Sequence, residues 1–173
     1  MQRTELARAI ASRSLLHGEF LLRSGATSSE YFDKYMFESD PKLLRAIAEA
    51  MAPLVPAGID SLAGLELGGV PLAVMLSQVT GLPTLFVRKK AKEYGTRRFA
   101  EGGEPAGRRL LVIEDVVTSG GQVVLSTRDL REAGARVGHA LCVIDRQAGG
   151  VESLAAEGVE LTALFTMSEL KSA

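Results

Sequence analysis

Two adjacent carboxylates and the turn after them have the residue types and the spacing of a site for chemistry. Glu114 and Asp115 precede Val116-Val117, and Thr118-Ser119-Gly120-Gly121 then lead to Gln122. Glycines let the backbone come close to a phosphate, and successive N–H groups at the start of a helix attract an anion. The neighbouring carboxylates suit ribose hydroxyls or Mg²⁺. This pattern therefore predicts a site for a ribose 5-phosphate.

The residues on either side of the turn predict a strand–turn–helix unit that positions it. Residues 109–113 are a short aliphatic run, which is typical of a buried strand, and the run ends at the two acids. Residues 123–133 carry apolar side chains at helical spacing, and Gly134 follows where a helix commonly stops. For the turn alone, an ordinary capped helix start explains the residues equally well. The paired acids at the strand end favour the phosphate site.

Strands and helices alternate along the rest of the chain. Further strands are predicted at residues 61–65, 84–88, 138–144 and 159–165, and helices from Ser39-Asp40-Pro41 and over residues 70–80. Nearer the start, residues 4–14 predict a helix, and residues 20–22 and 31–35 predict short strands. The expected fold is α/β, with a mainly parallel sheet flanked by helices, in one domain over residues 1–173. Ligands of such sheets bind at the carboxyl ends of the strands.

Composition limits the class of protein. The chain has 173 residues, 46% of them hydrophobic, and a net charge of −1, which is ordinary for a globular domain and offers no overall field to attract nucleic acid. No apolar run approaches the ~20 residues that span a bilayer. The first residues lack the layout of a secretion signal, and Cys142 is the only cysteine, which excludes an internal disulfide. We expect a cytoplasmic protein with no membrane or nucleic-acid partner.

A basic segment follows the strand predicted at 84–88. It has six cations, which are Arg88, Lys89, Lys90, Lys92, Arg97 and Arg98. Nearly twenty residues without an apolar period are long for a connection in a compact domain, where about 4–6 is typical. A solvated loop or a nucleic-acid patch are alternatives. We favour a mobile lid that closes over a highly anionic substrate.

The sequence resembles one enzyme family over almost its whole length. Residues 109–122 resemble the signature with which type I phosphoribosyltransferases bind 5-phosphoribosyl 1-diphosphate (PRPP): an aliphatic strand, two acids, two aliphatic residues, Thr, a small residue and Gly. The loop Arg88-Lys89-x-x-Lys92-x-Tyr94-Gly95 resembles the catalytic loop of the orotate phosphoribosyltransferases. Residues 20–33, 62–71 and 145–150 resemble that family's orotate-proximal segment, diphosphate loop and Asp-Arg-Gln/Glu-x-x-Gly segment.

This resemblance implies transfer of the phosphoribosyl group of PRPP to orotate, giving orotidine 5′-monophosphate and diphosphate in pyrimidine synthesis. It implies that Mg²⁺ is required and is held mainly through PRPP, with no dedicated protein ligand. The implied catalytic residues are Lys92, Asp115 and Glu114. The implied PRPP-binding residues are Arg23, Arg88, Lys89, Lys92, Tyr94, Glu114, Asp115, Val116, Val117, Thr118, Ser119, Gly120, Gly121 and Gln122. The implied orotate-binding residues are Tyr31, Phe32, Thr118 and Arg146, whose guanidinium suits the orotate carboxylate.

The resemblance also implies an assembly. Family members form a symmetric homodimer in which the lid of one chain reaches the active site of the other, and residues up to about 38 form a hood over the base. Here the crossing residues would be Arg88, Lys92 and Tyr94, while Lys89 stays with its own chain.

Three positions depart from the family pattern. Arg23 stands where Lys is usual, Tyr94 where His is common, and Leu67-Gly68 where some members have Tyr-Lys. Diphosphate contacts at Leu67-Gly68 must therefore come from backbone N–H groups.

Two other functions remain open. A phosphoribosyltransferase for a purine or another nucleobase shares the signature, but it gives no reason for the Arg-Lys-x-x-Lys loop. A non-catalytic regulator that senses PRPP or a nucleotide would be expected to lose the lid cations or to add a nucleic-acid-binding module, and neither is apparent. A P-loop NTPase is excluded because no Lys-Ser/Thr follows the glycines.

Overall fold

The chain folds around strands that are rich in β-branched and aliphatic residues. The computed structural model describes residues 1–22, 25–90 and 99–173. Its strands are β1 (Leu15–Leu21), β2 (Thr27–Phe32), β3 (Ser61–Leu65), β4 (Thr84–Val87), β5 (Ala100–Glu101), β6 (Arg109–Val117), β7 (Arg136–Asp145) and β8 (Glu160–Thr166). Its helices are α1 (Arg3–Ser14), α2 (Tyr35–Glu38), α3 (Pro41–Met51), α4 (Gly69–Thr80), α5 (Gly121–Glu132), α6 (Gly150–Ala156) and α7 (Met167–Lys171).

The larger sheet has the strand order β5-β4-β3-β6-β7-β8. Adjacent strands of this sheet pair in parallel, except that β4 and β5 are antiparallel to each other. All five residues of β3 are buried, as expected for a central parallel strand covered by helices on both faces. The prediction of an α/β fold with a mainly parallel sheet is confirmed. A separate antiparallel pair, β1 with β2, lies near the start of the chain.

The sheet separates two apolar cores. Leu111 and Ile113 of β6 pack into the core that includes α1, α3 and α4, whereas Leu110 and Val112 pack into the core that includes α5. Successive side chains of a strand point to opposite faces of its sheet. The same alternation sends the next two side chains of β6, both carboxylates, to opposite faces.

Local signals explain where several helices begin and end. The Asp40 carboxylate accepts hydrogen bonds from the N–H groups of Lys42 and Leu43 at 3.0 and 3.1 Å, and Pro41 occupies the first helical position of α3. Gly134 ends α5 with a φ of 88°, a conformation that L side chains rarely adopt. Both boundaries agree with the sequence prediction.

Two strand predictions were wrong near the start of the chain and at the acidic pair. The strand predicted at 31–35 stops at Phe32, and Tyr35 begins the short helix α2, whose Phe37 is fully buried. Strand β6 does not end at the acidic pair but continues to Val117, because Val116 and Val117 still pair with Ile144 and Asp145 of β7.

The basic segment also differs from its prediction. Residues Ala100–Glu101 form β5, which pairs with Phe86 and Val87, and Ala100 is buried in the core. Two residues are too short a run to show periodicity in the sequence. Among the described residues, no helix is long and apolar enough to cross a membrane.

Candidate active site

The turn between β6 and α5 forms a pocket of about 180 Å³ lined by Glu114 and by residues 116–123. Gly120 precedes α5 with a φ of 80°, and a Cβ atom there would lie 2.5 Å from the Leu154 side chain. Both facts require glycine at this position. The turn therefore brings backbone N–H groups at the start of α5 to the edge of the pocket, where they suit a phosphate.

Glu114 forms part of the wall of this pocket. Its side chain is largely buried, and its Oε1 atom accepts a hydrogen bond from the N–H of Asp115 at 3.0 Å. Burial, and then the nearby negative charge of Asp115, raise the pKa of Glu114 well above its ordinary value. The carboxyl group is thus held in place and has a reduced tendency to ionise.

Asp115 lies on the other face of β6 and has no exposed surface. Its Oδ2 atom is 2.6 Å from the Nζ atom of Lys34, and its Oδ1 atom accepts a hydrogen bond from the N–H of Val116. Burial alone would raise the pKa of Asp115, but hydrogen bonds with Glu114, Glu38 and Lys34 together outweigh it and lower the pKa. Asp115 is therefore an ionised carboxylate enclosed by protein.

Sequence reasoning missed Lys34 and Glu38, which are the neighbours of Asp115. Lys34 precedes α2 and Glu38 ends it, so the two residues are four positions apart and share one side of a helical turn. That spacing was the available signal, and it was hidden because residues 31–35 were predicted as a strand. Burial and the Asp115 contact raise the pKa of Glu38 to about 9.

The loop at residues 66–69 closes over the same acids. The Glu66–Leu67 peptide bond is cis, and Leu67 is exposed. A Cβ atom at Gly68 would overlap Oδ2 of Asp115 and lie 2.8 Å from Oε1 of Glu38. Glycine is required here because the backbone passes directly over the carboxylates.

A second pocket, of about 160 Å³, lies between β2 and the end of β7. Its lining includes Tyr31, Phe32 and Arg146, together with an ion pair of 2.7 Å between Lys171 and Glu30. Three of the four residues predicted to bind orotate are thus brought together. The fourth, Thr118, lies in the first pocket.

The segment after β7 joins the two pockets. The N–H of Arg146 donates to the carbonyl oxygen of Val117 at 2.9 Å, which places the second pocket beside the end of β6. Asp145 is buried and accepts a hydrogen bond from the N–H of Gln147 at 2.8 Å. Gln147 has a φ of 58°, and its side chain accepts from the N–H of Ser168 at 3.2 Å. These bonds fix the turn that carries Arg146.

The predicted lid begins at the end of β4. The N–H of Lys89 donates to Oε2 of Glu66 at 2.9 Å, and the Nε atom of Arg88 is 3.6 Å from Oε1 of Glu101. The start of the lid is thereby tied to the loop at 66–69. Lys92, Tyr94 and Arg23 lie outside the described residues.

The carboxyl groups of the site already have protein partners. Among the described residues, no group of three or more His, Cys, Asp and Glu side chains could hold a metal ion. Both oxygens of Asp115 already contact protein groups, and one oxygen of Glu114 does so. Mg²⁺ commonly binds through substrate phosphates and few carboxylates, so this arrangement fits an ion that arrives with a diphosphate.

Comparison with known proteins identifies the class. The family model described as phosphoribosyl transferase domain matches residues 36–164. An orotate phosphoribosyltransferase of Nocardioides sp. is 54% identical over 168 residues, covering 97% of this chain and 94% of that protein. One from Halobacterium salinarum is 47% identical over 163 residues, covering 94% of this chain and 93% of that protein. The chain therefore belongs to the phosphoribosyltransferase family and, within it, to the orotate phosphoribosyltransferases.

A solved structure agrees with this assignment. The crystal structure of Mycobacterium tuberculosis orotate phosphoribosyltransferase in complex with PRPP superposes with a TM-score of 0.85 at 26% identity, and the alignment covers 98% of each chain. The predicted family and enzyme class are confirmed.

Proposed function

We propose that the two joined pockets transfer the 5-phosphoribosyl group of PRPP to orotate, giving orotidine 5′-monophosphate and diphosphate. The observation that carries this proposal is the hydrogen bond from Arg146 to Val117, which places a cationic base pocket directly beside a phosphate turn. The activity of the relatives confirms the transfer that the sequence predicted.

The 5-phosphate of PRPP binds at the turn. The N–H groups and hydroxyls of residues 116–122 surround the first pocket, and the start of α5 adds a favourable dipole. The binding residues are Val116, Val117, Thr118, Ser119, Gly120, Gly121 and Gln122.

The ribose hydroxyls donate to Glu114 and Asp115. Glu114 already lines the pocket, so it meets the sugar first. Asp115 is enclosed, and its contact with the Lys34 ammonium keeps it ionised as an acceptor for a hydroxyl.

Orotate occupies the second pocket. The Arg146 guanidinium binds its carboxylate, and Tyr31 and Phe32 flank the ring, with Thr118 reaching it from the turn. Orotate is anionic, so an exposed arginine at the mouth of a small pocket distinguishes it from uracil.

Cations bind the leaving diphosphate. We assign this role to Arg88, Lys89, Lys92 and Arg23, with Tyr94 as a further PRPP-binding residue and with Mg²⁺ carried mainly by PRPP. When bound, the metal neutralises negative charge on the leaving group. As the C1–O bond breaks, the ribose gains oxocarbenium character and the diphosphate gains charge, and cations in a closed, water-poor site stabilise both changes.

We further propose that the enzyme works as a homodimer with shared sites. Val74 of α4 and Phe86 of β4 are 42% and 37% exposed. Val70, one helical turn from Val74, lines a pocket with Phe86 and Arg88. An apolar face beside the start of the lid supports an interface there, which gives the lid of a neighbouring chain a surface on which to close.

Mixing two inactive variants tests the shared sites. Asp115→Asn and Lys92→Ala chains are dissociated and reassociated together. If the lid crosses the interface, half of the dimers are mixed and half of their sites are intact, so activity recovers to roughly a quarter of wild type. Recovery that stays at the background of the separate variants, with exchange verified, contradicts sharing.

The extent and location of the protein complete the proposal. We treat residues 1–173 as one phosphoribosyltransferase domain, with the segment up to about residue 38 as the hood over the base. In support, β2 from this segment lines the base pocket. A cytoplasmic location fits the single cysteine, Cys142, which is buried and free.

Loss of orotate absorbance in the presence of PRPP and Mg²⁺ tests the proposed reaction. We expect rapid, PRPP-dependent loss with orotate and little reaction with uracil or adenine. Conversion of another base in preference to orotate would favour a different nucleobase transferase. PRPP binding without turnover of any base would favour a regulator.

A further inference from the structure

Asp115 is enclosed by two residues, Lys34 and Glu38, that do not line the phosphate pocket. Lys34 is half-buried, with its ammonium 2.6 Å from Oδ2 of Asp115, and its Nζ atom also lies 5.3 Å from the centre of the Tyr35 ring. Glu38 is buried on the same side. A fully buried carboxylate thus has one cation, Lys34, and two acids, Glu38 and the adjacent Glu114, as its side-chain neighbours.

The contact between Glu38 and Asp115 needs a proton. Oε1 of Glu38 is buried, and within the described part of the chain no hydrogen-bond donor reaches it. Two carboxylates can share a buried site only when one of them is protonated, since two adjacent negative charges repel strongly. Asp115 holds the Lys34 ammonium, so the proton belongs on Glu38, which then donates to Asp115.

The charged groups around Glu38 support this assignment. Lys34 and Asp33 face it from just before α2, Asp115 faces it from β6, and Glu114 contacts Asp115 from the same strand. Three of these four groups are acidic, so an ionised Glu38 would add a further negative charge where only Lys34 compensates. The backbone of Gly68 covers the same place and brings no side chain.

Asp115 is linked to the phosphate pocket through Glu114. Its N–H donates to Oε1 of Glu114 at 3.0 Å, so a change in the conformation of Asp115 also changes the carboxyl group that lines the phosphate pocket. The backbone of Gly68 lies over the same carboxylate, so close that a Cβ atom there would overlap Oδ2 of Asp115.

We infer that Lys34 and Glu38 are positioning residues that hold Asp115 as a fixed, ionised acceptor and thereby set the affinity for the ribose of PRPP. This inference rests on the proposed function. Lys34 supplies the counter-charge, and Glu38 supplies a hydrogen bond that only its protonated form can donate. Neither residue lines the phosphate pocket or the base pocket.

Four variants separate positioning from simple structural support. Lys34→Met removes the charge and keeps much of the side-chain volume, and Glu38→Leu removes the donor. We expect both to raise KM for PRPP by about tenfold or more while changing KM for orotate by less than about threefold, because a lost charge-assisted hydrogen bond is worth about that much. Lys34→Arg and Glu38→Gln, which keep a cation and a donor, should restore PRPP binding to within about threefold of wild type. Lys42→Met, an exposed cation on α3, is the matched control and should leave both constants unchanged.

A pH profile gives a readout that does not depend on these two disruptive variants. Wild type should lose PRPP affinity as the pH passes about 9, where Glu38 gives up its proton, whereas Glu38→Gln should not show that loss. If Lys34→Met and Glu38→Leu fail to fold, this comparison decides, and superimposable profiles overturn the inference.

Other outcomes also decide. An unchanged or lowered KM for PRPP in a folded Lys34→Met enzyme overturns the inference, as does an equal loss of affinity for both substrates. Wild type assayed in parallel distinguishes failure of the proposed function from failure of the positioning role. If wild type does not consume orotate, the proposed function fails. If wild type is active and the variants match it, only the positioning role fails.

Discussion

Glu114 and Asp115 are neighbours in one strand, yet they occupy different environments. Glu114 lines an open pocket and has a raised pKa, whereas Asp115 has no exposed surface and has a lowered pKa. The alternation of side chains in β6 produces this difference, because it sends one carboxyl group to the turn and the other to α2. A pair of acids that looks uniform in the sequence therefore contains one group whose pKa is raised and one whose pKa is lowered.

The difference in pKa predicts different effects for an amide substitution at Glu114 and at Asp115. Replacing a carboxylate that is held ionised removes a charge on which its surroundings depend. Replacing a carboxyl group that already tends towards neutrality changes less. Substitutions at both carboxyl groups and at their neighbours test this contrast.

Asp115→Asn should cause the greatest loss. The amide keeps the shape and one acceptor oxygen, but it removes the counter-charge of Lys34 and replaces the other acceptor oxygen with an NH₂ donor, so kcat/KM for PRPP should fall by roughly a hundredfold. Steady-state kinetics at saturating orotate measure this loss, and circular dichroism checks the fold. Wild-type kinetics in a folded variant would remove Asp115 from the site.

Arg146→Ala should come next, with an effect on the other substrate. Losing the guanidinium should raise KM for orotate by at least about tenfold, while KM for PRPP changes little. The measurement is a pair of substrate titrations. An equal rise in both constants would show that Arg146 supports the fold and does not recognise the base.

Glu114→Gln should have a smaller effect than Asp115→Asn. Because burial raises the pKa of Glu114, the neutral amide resembles the form that the protein favours, and the loss in kcat/KM for PRPP should be about tenfold or less. Parallel assays at one pH compare the two amides. If Glu114→Gln is the more damaging variant, the contrast between the two carboxyl groups is wrong.

The smallest effect concerns stability. The pKa of Glu38 is raised to about 9 in the folded chain. Above its ordinary pKa of about 4.5, Glu38 is ionised in the unfolded chain, so the chain must take up a proton when it folds. The stability of wild type should therefore fall as the pH rises from about 4.5 towards 9, whereas Glu38→Gln should lack this dependence.

At pH 8 we expect Glu38→Gln to unfold at a higher temperature than wild type, by roughly 2–4 °C for about 1 kcal/mol. The difference should disappear near pH 4. Thermal melts between pH 4 and pH 8 measure this difference. If the melting temperatures of Glu38→Gln and wild type differ by the same amount at every pH, Glu38 is not protonated in the folded chain.

The sequence was informative wherever structure depends on neighbours in the chain. Asp40 and Pro41 start α3, Gly134 ends α5, and the hydroxyl- and glycine-rich turn leads from β6 into α5, as its residues predicted. Each of these features follows from backbone conformation and from hydrogen bonds within a few residues.

Features that depend on distant partners were not predictable in the same way. Lys34 and Glu38 meet Asp115 only because β6 alternates and α2 packs against its end, and the aromatic residues around Phe32 favoured a strand over that helix. Likewise, β5 exists because Phe86 and Val87 offer it an edge to pair with. Propensity is a weak guide when tertiary contacts decide.

Product analysis tests whether the enzyme makes orotidine 5′-monophosphate and diphosphate from orotate and PRPP. Wild type is incubated with orotate, PRPP and Mg²⁺, and the nucleotide and diphosphate formed are quantified against the orotate consumed. The account predicts one orotidine 5′-monophosphate and one diphosphate for each orotate, with no product when PRPP is omitted. Orotate that remains unconsumed by folded enzyme, or diphosphate released without nucleotide, would contradict it.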